Sequence, residues 1–266
     1  MRIVQFFAPR QGPRLGVVQG EEVIDISGGG KPEFSSTLAA IQAAAQANCS
    51  LEDYLSRRLA SLSRPKRYAW QDLNIPPSPT QPHLLIPVQA PEVWGCGITY
   101  QRSAEVYQES VGTTPAPQGR SKGIYDYVYH SERPELFFKA TPERCVGPNA
   151  PICIRSDSTL TAPEPELAYV LGREKEIVGF TICNDLSAWD IERENPLFLP
   201  QSKIFLGCCA LGPTLVTPSD LPDPRNLSIT CRIVRGGQTI YSGTTRTSAL
   251  KRTFEELNRF LYRDNV

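Results

Sequence analysis

Two glutamates stand two residues apart in Thr161-Ala162-Pro163-Glu164-Pro165-Glu166-Leu167-Ala168-Tyr169-Val170, at the head of an apolar run that reads as a strand. Side chains alternate along a strand, so Glu164 and Glu166 share a face. Neighbouring carboxylates resist joint ionisation unless a cation holds them, and hard oxygen donors suit Mg²⁺, Mn²⁺ or Ca²⁺ rather than zinc. A third carboxylate, Asp185, closes the next strand-like run, Ile177 to Asn184. If the two strands pair antiparallel, the end of the second lies beside the start of the first, and all three carboxylates meet. The spacing also fits an exposed face of an edge strand, where Pro165 is tolerated.

The elements that must position these residues divide the chain unevenly. From Arg2 to Ile26, short apolar runs punctuated by Gly and Pro read as successive hairpin strands. Ser36 can cap a helix through Leu38, Ile41 and Ala45, and Leu51 to Leu62 repeats apolar residues at helical spacing, so two helices are expected to cover those strands. The stretch Pro76 to Pro82 can continue neither periodicity and marks a boundary between a small domain, 1–80, and a larger one, 81–266. The larger part reads as mainly β, with strand-like runs at Val93 to Ile98, Leu136 to Phe138, Leu167 to Leu171, Ile177 to Ile182, Leu215-Val216, Leu227 to Val234 and Thr239 to Tyr241. Helical spacing occurs at Ala104 to Ser110 and at Leu250, Phe254, Leu257 and Leu261. The fold class that follows is α+β, mainly β.

Composition narrows the function. Lys plus Arg and Asp plus Glu both number 28, so no net field favours nucleic acid or an anionic membrane. No apolar run approaches ~18 residues and no signal-peptide layout opens the chain, which points to a cytoplasmic protein with no membrane partner. No glycine-rich phosphate loop is present. The eight cysteines form no Cys-x-x-Cys and read as buried thiols, with Cys208 and Cys209 as packing residues. His83 and His130 read as surface or packing residues.

The runs Glu164 to Gly172 and Gly179-Phe180-Thr181-Ile182-Cys183-Asn184-Asp185-Leu186-Ser187-Ala188 resemble the metal-binding core of the fumarylacetoacetate hydrolase family. The resemblance covers nearly the whole chain. It implies a mixed β-roll with a small β-rich N-terminal domain, and Glu164, Glu166 and Asp185 as ligands of Mg²⁺ or Mn²⁺. Arg133-Pro134-Glu135-Leu136-Phe137-Phe138-Lys139-Ala140-Thr141-Pro142 and Glu194 to Lys203 resemble the branch that dehydrates 2-keto-3-deoxy sugar acids. Departures from the hydrolases agree with that branch. Ser103 replaces their His after Gly97-Ile98-Thr99-Tyr100, and Glu192 replaces their Gln in Ser187-Ala188-Trp189-Asp190-Ile191-Glu192. Trp189 stands where both groups carry Arg.

What the resemblance implies is dehydration of a 2-keto-3-deoxy-D-arabinonate type acid to a semialdehyde through a metal-stabilised enolate. Chelation of the 2-keto acid acidifies the C3 protons, and the C4 hydroxyl leaves. Glu135 and Lys203 then divide the acid and base work in either order. Thr99, Tyr100, Glu105, Tyr107, Lys139 and Ser202 are expected to bind the small-molecule substrate, with Lys139 and Lys203 balancing charge. The family is commonly dimeric or larger, which implies a homo-oligomer. It also normally continues past the last helix with a β segment holding a Thr-Gly-Thr run, absent from this sequence. A hydrolase or isomerase acting on another 2-keto diacid or an acylpyruvate, and a non-catalytic truncated paralogue, remain alternatives.

Overall fold

A computed structural model describes residues 1–105 and 123–265. Strands β1 (Arg2–Ala8), β2 (Gly12–Gln19) and β3 (Glu22–Asp25) form the expected antiparallel meander. The β2–β3 turn passes through Gly20 at φ 58°, a left-handed conformation that glycine adopts without steric penalty. Alternate residues feed two cores: Ile3, Leu15, Val17 and Ile24 on one face, Val4, Phe6, Val18 and Val23 on the other. Burial of both faces explains why these strands read as apolar runs rather than strict alternations.

Helices α1 (Thr37–Gln46) and α2 (Leu51–Ala60) cover the first face with Ile41, Leu51 and Leu55. Each begins at a serine whose hydroxyl accepts a backbone N–H: Ser36 from Ala39 at 3.1 Å, Ser50 from Asp53 at 3.0 Å. Strand β4 (Arg67–Ala69) pairs with β3 and leads into α3 (Trp70–Leu73), whose Leu73 is buried in the second core. The proline-rich stretch is irregular, and β5 (His83–Leu84) returns to pair with β1.

Beyond it, β6 (Val93–Gly97) pairs antiparallel with β7 (Glu135–Ala140), and α4 (Ile124–His130) precedes β7. Strand β8 (Cys145–Val146) and β9 (Thr161–Ala162) are short, whereas β10 (Pro165–Leu171) and β11 (Ile177–Asp185) form a long antiparallel pair. Strand β12 (Ser187–Ala188) runs directly into α5 (Trp189–Glu194), followed by α6 (Leu199–Lys203). After β13 (Cys209–Val216), an exposed hairpin of β14 (Ser228–Arg235) and β15 (Gln238–Arg246) precedes α7 (Phe254–Leu261). Tyr169 of β10 holds α7 in place, its hydroxyl donating to Asn258 at 2.9 Å.

Among the described residues the principal sheet has nine strands in the order β10-β11-β13-β1-β2-β3-β4, with β5 added on β1 and β8 parallel to β13. The register Arg2↔Val216 and Ile3↔Leu215 joins the opening meander to β13. The architecture is α+β and mainly β, as the sequence indicates. Helices α5 and α6 were not foreseen, because five or six residues are too few to show a 3.6-residue period. Strand β13 begins well before Leu215-Val216, since Gly212-Pro213 interrupts its apolar pattern. Residues 101–105 are helical; the rest of the helix expected to reach Ser110 lies outside the described residues. Among the described residues no helix is long and apolar enough to cross a membrane.

Candidate metal centre

The β10–β11 register sets Pro165 opposite Asn184 and Glu166 opposite Cys183. Facing residues of a ladder share a face, as do residues two apart, so Asp185 rises on the same side as Glu164 and Glu166. One carboxylate oxygen from each lies within 4.8 Å of the others. Two hydrogen bonds fix this end of the strand pair: Asp185 N–H donates to the Glu164 carbonyl at 2.9 Å, and Glu164 N–H to the Asn184 side-chain Oδ1 at 3.0 Å. Strand β10 is terminal in the sheet order, where Pro165 is tolerated, but its carboxylate face is covered and not exposed.

Two lysines press against this cluster. Lys203, at the end of α6, donates to Glu164 Oε2 at 2.8 Å, Asp185 Oδ2 at 3.1 Å and Ser187 Oγ at 2.6 Å. Lys139 of β7 is 1% exposed and pairs with Asp185 Oδ1 at 2.6 Å. It also donates to the carbonyls of Leu186 and Lys203, which hold its ammonium beneath the cluster. Burial pushes the Glu166 carboxyl up to about 8, and Asp185 and Glu164 add to the rise. A divalent cation relieves that repulsion, and an all-oxygen donor set this close together fits Mg²⁺ or Mn²⁺.

Glu135 lies on β7 opposite Gly97. A Cβ at residue 97 would sit 2.2 Å from Glu135 Oε2, and one at Gly95 2.3 Å from Phe137 Cζ. These two glycines let Glu135 and Phe137 fold across β6. Burial raises the Glu135 carboxyl; Lys203 opposes the rise, and Glu164 and Asp185 reinforce it, which places all four groups in one electrostatic neighbourhood.

The other expected substrate contacts differ in setting. Tyr100 is raised by burial and by Glu166, against the pull of Arg225. The Thr99 carbonyl accepts from Lys251 N–H at 3.1 Å. Glu105 is exposed and accepts from Gln101 Nε2 at 3.0 Å. Ser202 is fully buried and donates to the Ala188 carbonyl at 3.0 Å, with Glu192 Oε2 at 3.4 Å. Tyr107 lies outside the described residues.

Several neighbours were not anticipated. Ser187 accepts from Lys203, and Trp189 donates its indole N–H to Glu164 Oε1 at 2.5 Å. Cys96 is pushed up to about 12 by burial, with Glu166 and Glu135 adding to the rise. Tyr125 of α4 is raised by burial and by Glu192 and Glu135. A signal existed only for Ser187 and Trp189, which sit inside a motif already singled out. The cysteines are not uniformly buried: Cys183, Cys208 and Cys209 are, packed with Ala140 and Leu211, while Cys153 is exposed. His83 packs 5.2 Å from the Phe7 ring, and His130 sits at the exposed end of α4.

The fold and the converging carboxylates define an enzyme-like metal centre on a mixed sheet. Residues 122–261 match the family model for the fumarylacetoacetate hydrolase C-terminal domain. The chain belongs to the fumarylacetoacetate hydrolase family. It is 49% identical over 179 residues to 2-dehydro-3-deoxy-D-arabinonate dehydratase of Saccharolobus solfataricus, a match covering 67% of this chain and 59% of that protein. It is 44% identical over 184 residues to a probable 2-keto-3-deoxyxylonate dehydratase of Haloferax volcanii, covering 69% of this chain and 61% of that protein. The matched region thus spans about three fifths of the length of these relatives. A solved structure of 2-keto-3-deoxy-D-arabinonate dehydratase complexed with magnesium and 2,5-dioxopentanoate superposes with a TM-score of 0.77 at 34% identity, covering 100% of this chain and 83% of that one. The fold is therefore that of the fumarylacetoacetate hydrolases.

Proposed function

We propose that this protein is a divalent-cation-dependent hydro-lyase that dehydrates a 2-keto-3-deoxy sugar acid of the 2-keto-3-deoxy-D-arabinonate type to the 2-oxo acid semialdehyde. The observation that carries this reading is the convergence of Glu164, Glu166 and Asp185, with Lys203 paired to Glu164 and Asp185. The names of the relatives and the ligands in the superposed structure support the substrate class.

Glu164, Glu166 and Asp185 would hold Mg²⁺ or Mn²⁺, which when bound withdraws charge from the 2-keto oxygen and so acidifies C3. Glu135 and Lys203 are the groups that take the C3 proton and return one to the departing C4 hydroxyl. Burial raises the Glu135 carboxyl above its ordinary range, which favours its holding a proton and suits it to general acid–base work. Lys203 offsets the negative charge of the ligands and of the substrate carboxylate. Lys139 offsets more of it from beneath, Thr99, Tyr100, Glu105 and Tyr107 would contact the substrate, and the fully buried Ser202 would support the site from behind through the Ala188 carbonyl. Phe137 and Phe205 cover the ammonium groups of Lys203 and Lys139 at 5.4 and 5.7 Å, limiting water there.

A division at residue 80, a cytoplasmic location and self-association belong to the same proposal. The packing of α1 and α2 on the meander supports the first. Exposed Ile154, Leu160, Leu197 and Leu206 support the last.

Incubation with Mg²⁺ and a 2-keto-3-deoxypentonate is expected to consume substrate and release semialdehyde, with turnover abolished by EDTA and by Glu166→Gln. Folded protein that binds the metal yet leaves this substrate and its stereoisomers untouched would overturn the dehydratase reading. Cleavage of an acylpyruvate would instead place the chain among the family's hydrolases.

A further inference from the structure

Glu164 is gripped at both oxygens. Lys203 Nζ donates to Oε2 at 2.8 Å, and the Trp189 indole N–H donates to Oε1 at 2.5 Å from the opposite side. A carboxylate oxygen has room for more than one partner, so neither bond uses up the capacity of Glu164 to bind a cation. Together they fix the rotation of the carboxyl group.

Trp189 is itself held. It opens α5 directly after β12, and its own N–H donates to the Leu160 carbonyl at 2.9 Å, which ties the start of the helix to the segment before β9. Arg193, four residues on and hence on the same helix face, lays its guanidinium over the indole with Cζ 4.8 Å from the ring centroid. The Arg193 Nε is buried without a hydrogen-bond partner. A cation over the ring face draws electron density toward itself, leaving the N–H edge more positive and a stronger donor to an anion. The guanidinium that the family pattern places at residue 189 therefore returns one helical turn later, behind an uncharged donor.

We propose that Trp189, backed by Arg193, is a positioning residue that presets the carboxylate of Glu164 for the divalent cation. This rests on the metal-centre reading above. Outer donors of this kind hold a ligand in its binding orientation before the ion arrives, and their removal typically weakens metal affinity by about 10–100-fold. The role belongs to the N–H and not to the bulk of the ring. Trp189→Phe therefore separates the two, keeping an aromatic ring beneath Arg193 while deleting the donor.

The test is Mn²⁺ binding by the full chain, read from the electron paramagnetic resonance of free Mn²⁺, with no substrate and no turnover involved. Trp189→Phe is expected to weaken Mn²⁺ affinity about 10–100-fold. Arg193→Leu, which keeps the donor but removes the cation behind it, is expected to weaken it by a smaller factor, and Glu166→Gln abolishes binding as the ligand control. Trp189→Phe binding within twofold of wild type would overturn the positioning role while leaving the metal centre intact. Failure of wild type to bind Mn²⁺ would overturn the metal centre and this inference together. A second readout leaves Trp189 in place: with Trp70→Phe and Trp94→Phe, Trp189 is the sole indole, and bound paramagnetic Mn²⁺ is expected to quench its fluorescence saturably. Saturable Mn²⁺ binding without quenching would place Trp189 away from the ion and overturn the proposal.

Discussion

At the β3 end of the sheet, Ile24 and Leu15 meet Leu51 and Leu55 in an apolar cluster closed by two helices with serine caps. At the β10–β11 end, three carboxylates and two lysines share a comparable space, and Asp185, Lys139 and Lys203 are each at least 95% buried. The first region is held by area removed from water, which any well-shaped apolar side chain supplies. The second is held by charges that are each costly to bury and tolerable only in one another's presence. One region therefore degrades gradually under substitution, whereas the other fails when any single charge is left unmatched.

Lys139→Met breaks the second region most severely. It leaves Asp185 short of a partner in a buried setting and is expected to destabilise the metal-free protein by about 3–5 kcal/mol in urea unfolding. Added Mn²⁺ should recover part of that loss, because the ion supplies positive charge to the same carboxylates. No recovery would mean that Lys139 acts through its carbonyl bonds and not through charge.

Leu55→Ala probes the first region, where deletion of a fully buried leucine is expected to cost about 3 kcal/mol. Turnover per folded molecule should stay at the wild-type level. A matching fall in Mn²⁺ affinity would show that the two ends of the sheet are coupled.

Glu192→Gln sharpens the comparison through pH. Burial pushes the Glu192 carboxyl up to about 7 against the opposing pull of Lys203, so the folded state holds its proton more tightly than the unfolded chain does. Its contribution to stability is full below pH about 4.5 and is lost as pH rises to about 7. Glutamine is neutral throughout, so the stability difference between variant and wild type should shift in the variant's favour across that window, by on the order of 3 kcal/mol at most, and then level off. Parallel pH profiles from urea midpoints would place Glu192 in water. The smallest effect is expected from Ser36→Ala, about 1 kcal/mol from loss of the α1 cap, with no change at the metal centre.

The features legible in the sequence are those written over a few adjacent positions. Glu164 and Glu166 share a face because strands alternate, Ser36 announces a helix start, and the opening meander shows in its apolar runs between turns. Even the meeting with Asp185 was accessible, because two strands separated by a short turn pair antiparallel far more readily than in any other way. The family motifs extended this to Glu135, Lys139 and Lys203 as residue types with expected roles.

Their arrangement came only with the tertiary structure. Lys139 turns out to lie under Asp185, and Glu135 folds over Gly97, because β6, β7 and β11 come together from distant parts of the chain. Helices α5 and α6 are too short to leave a period in the sequence, yet they carry Trp189 and Lys203 to opposite oxygens of one carboxylate. Spacing along the chain decides which side chains share a face. Which faces meet depends on strand order and register, and these are set by the burial of the whole sheet.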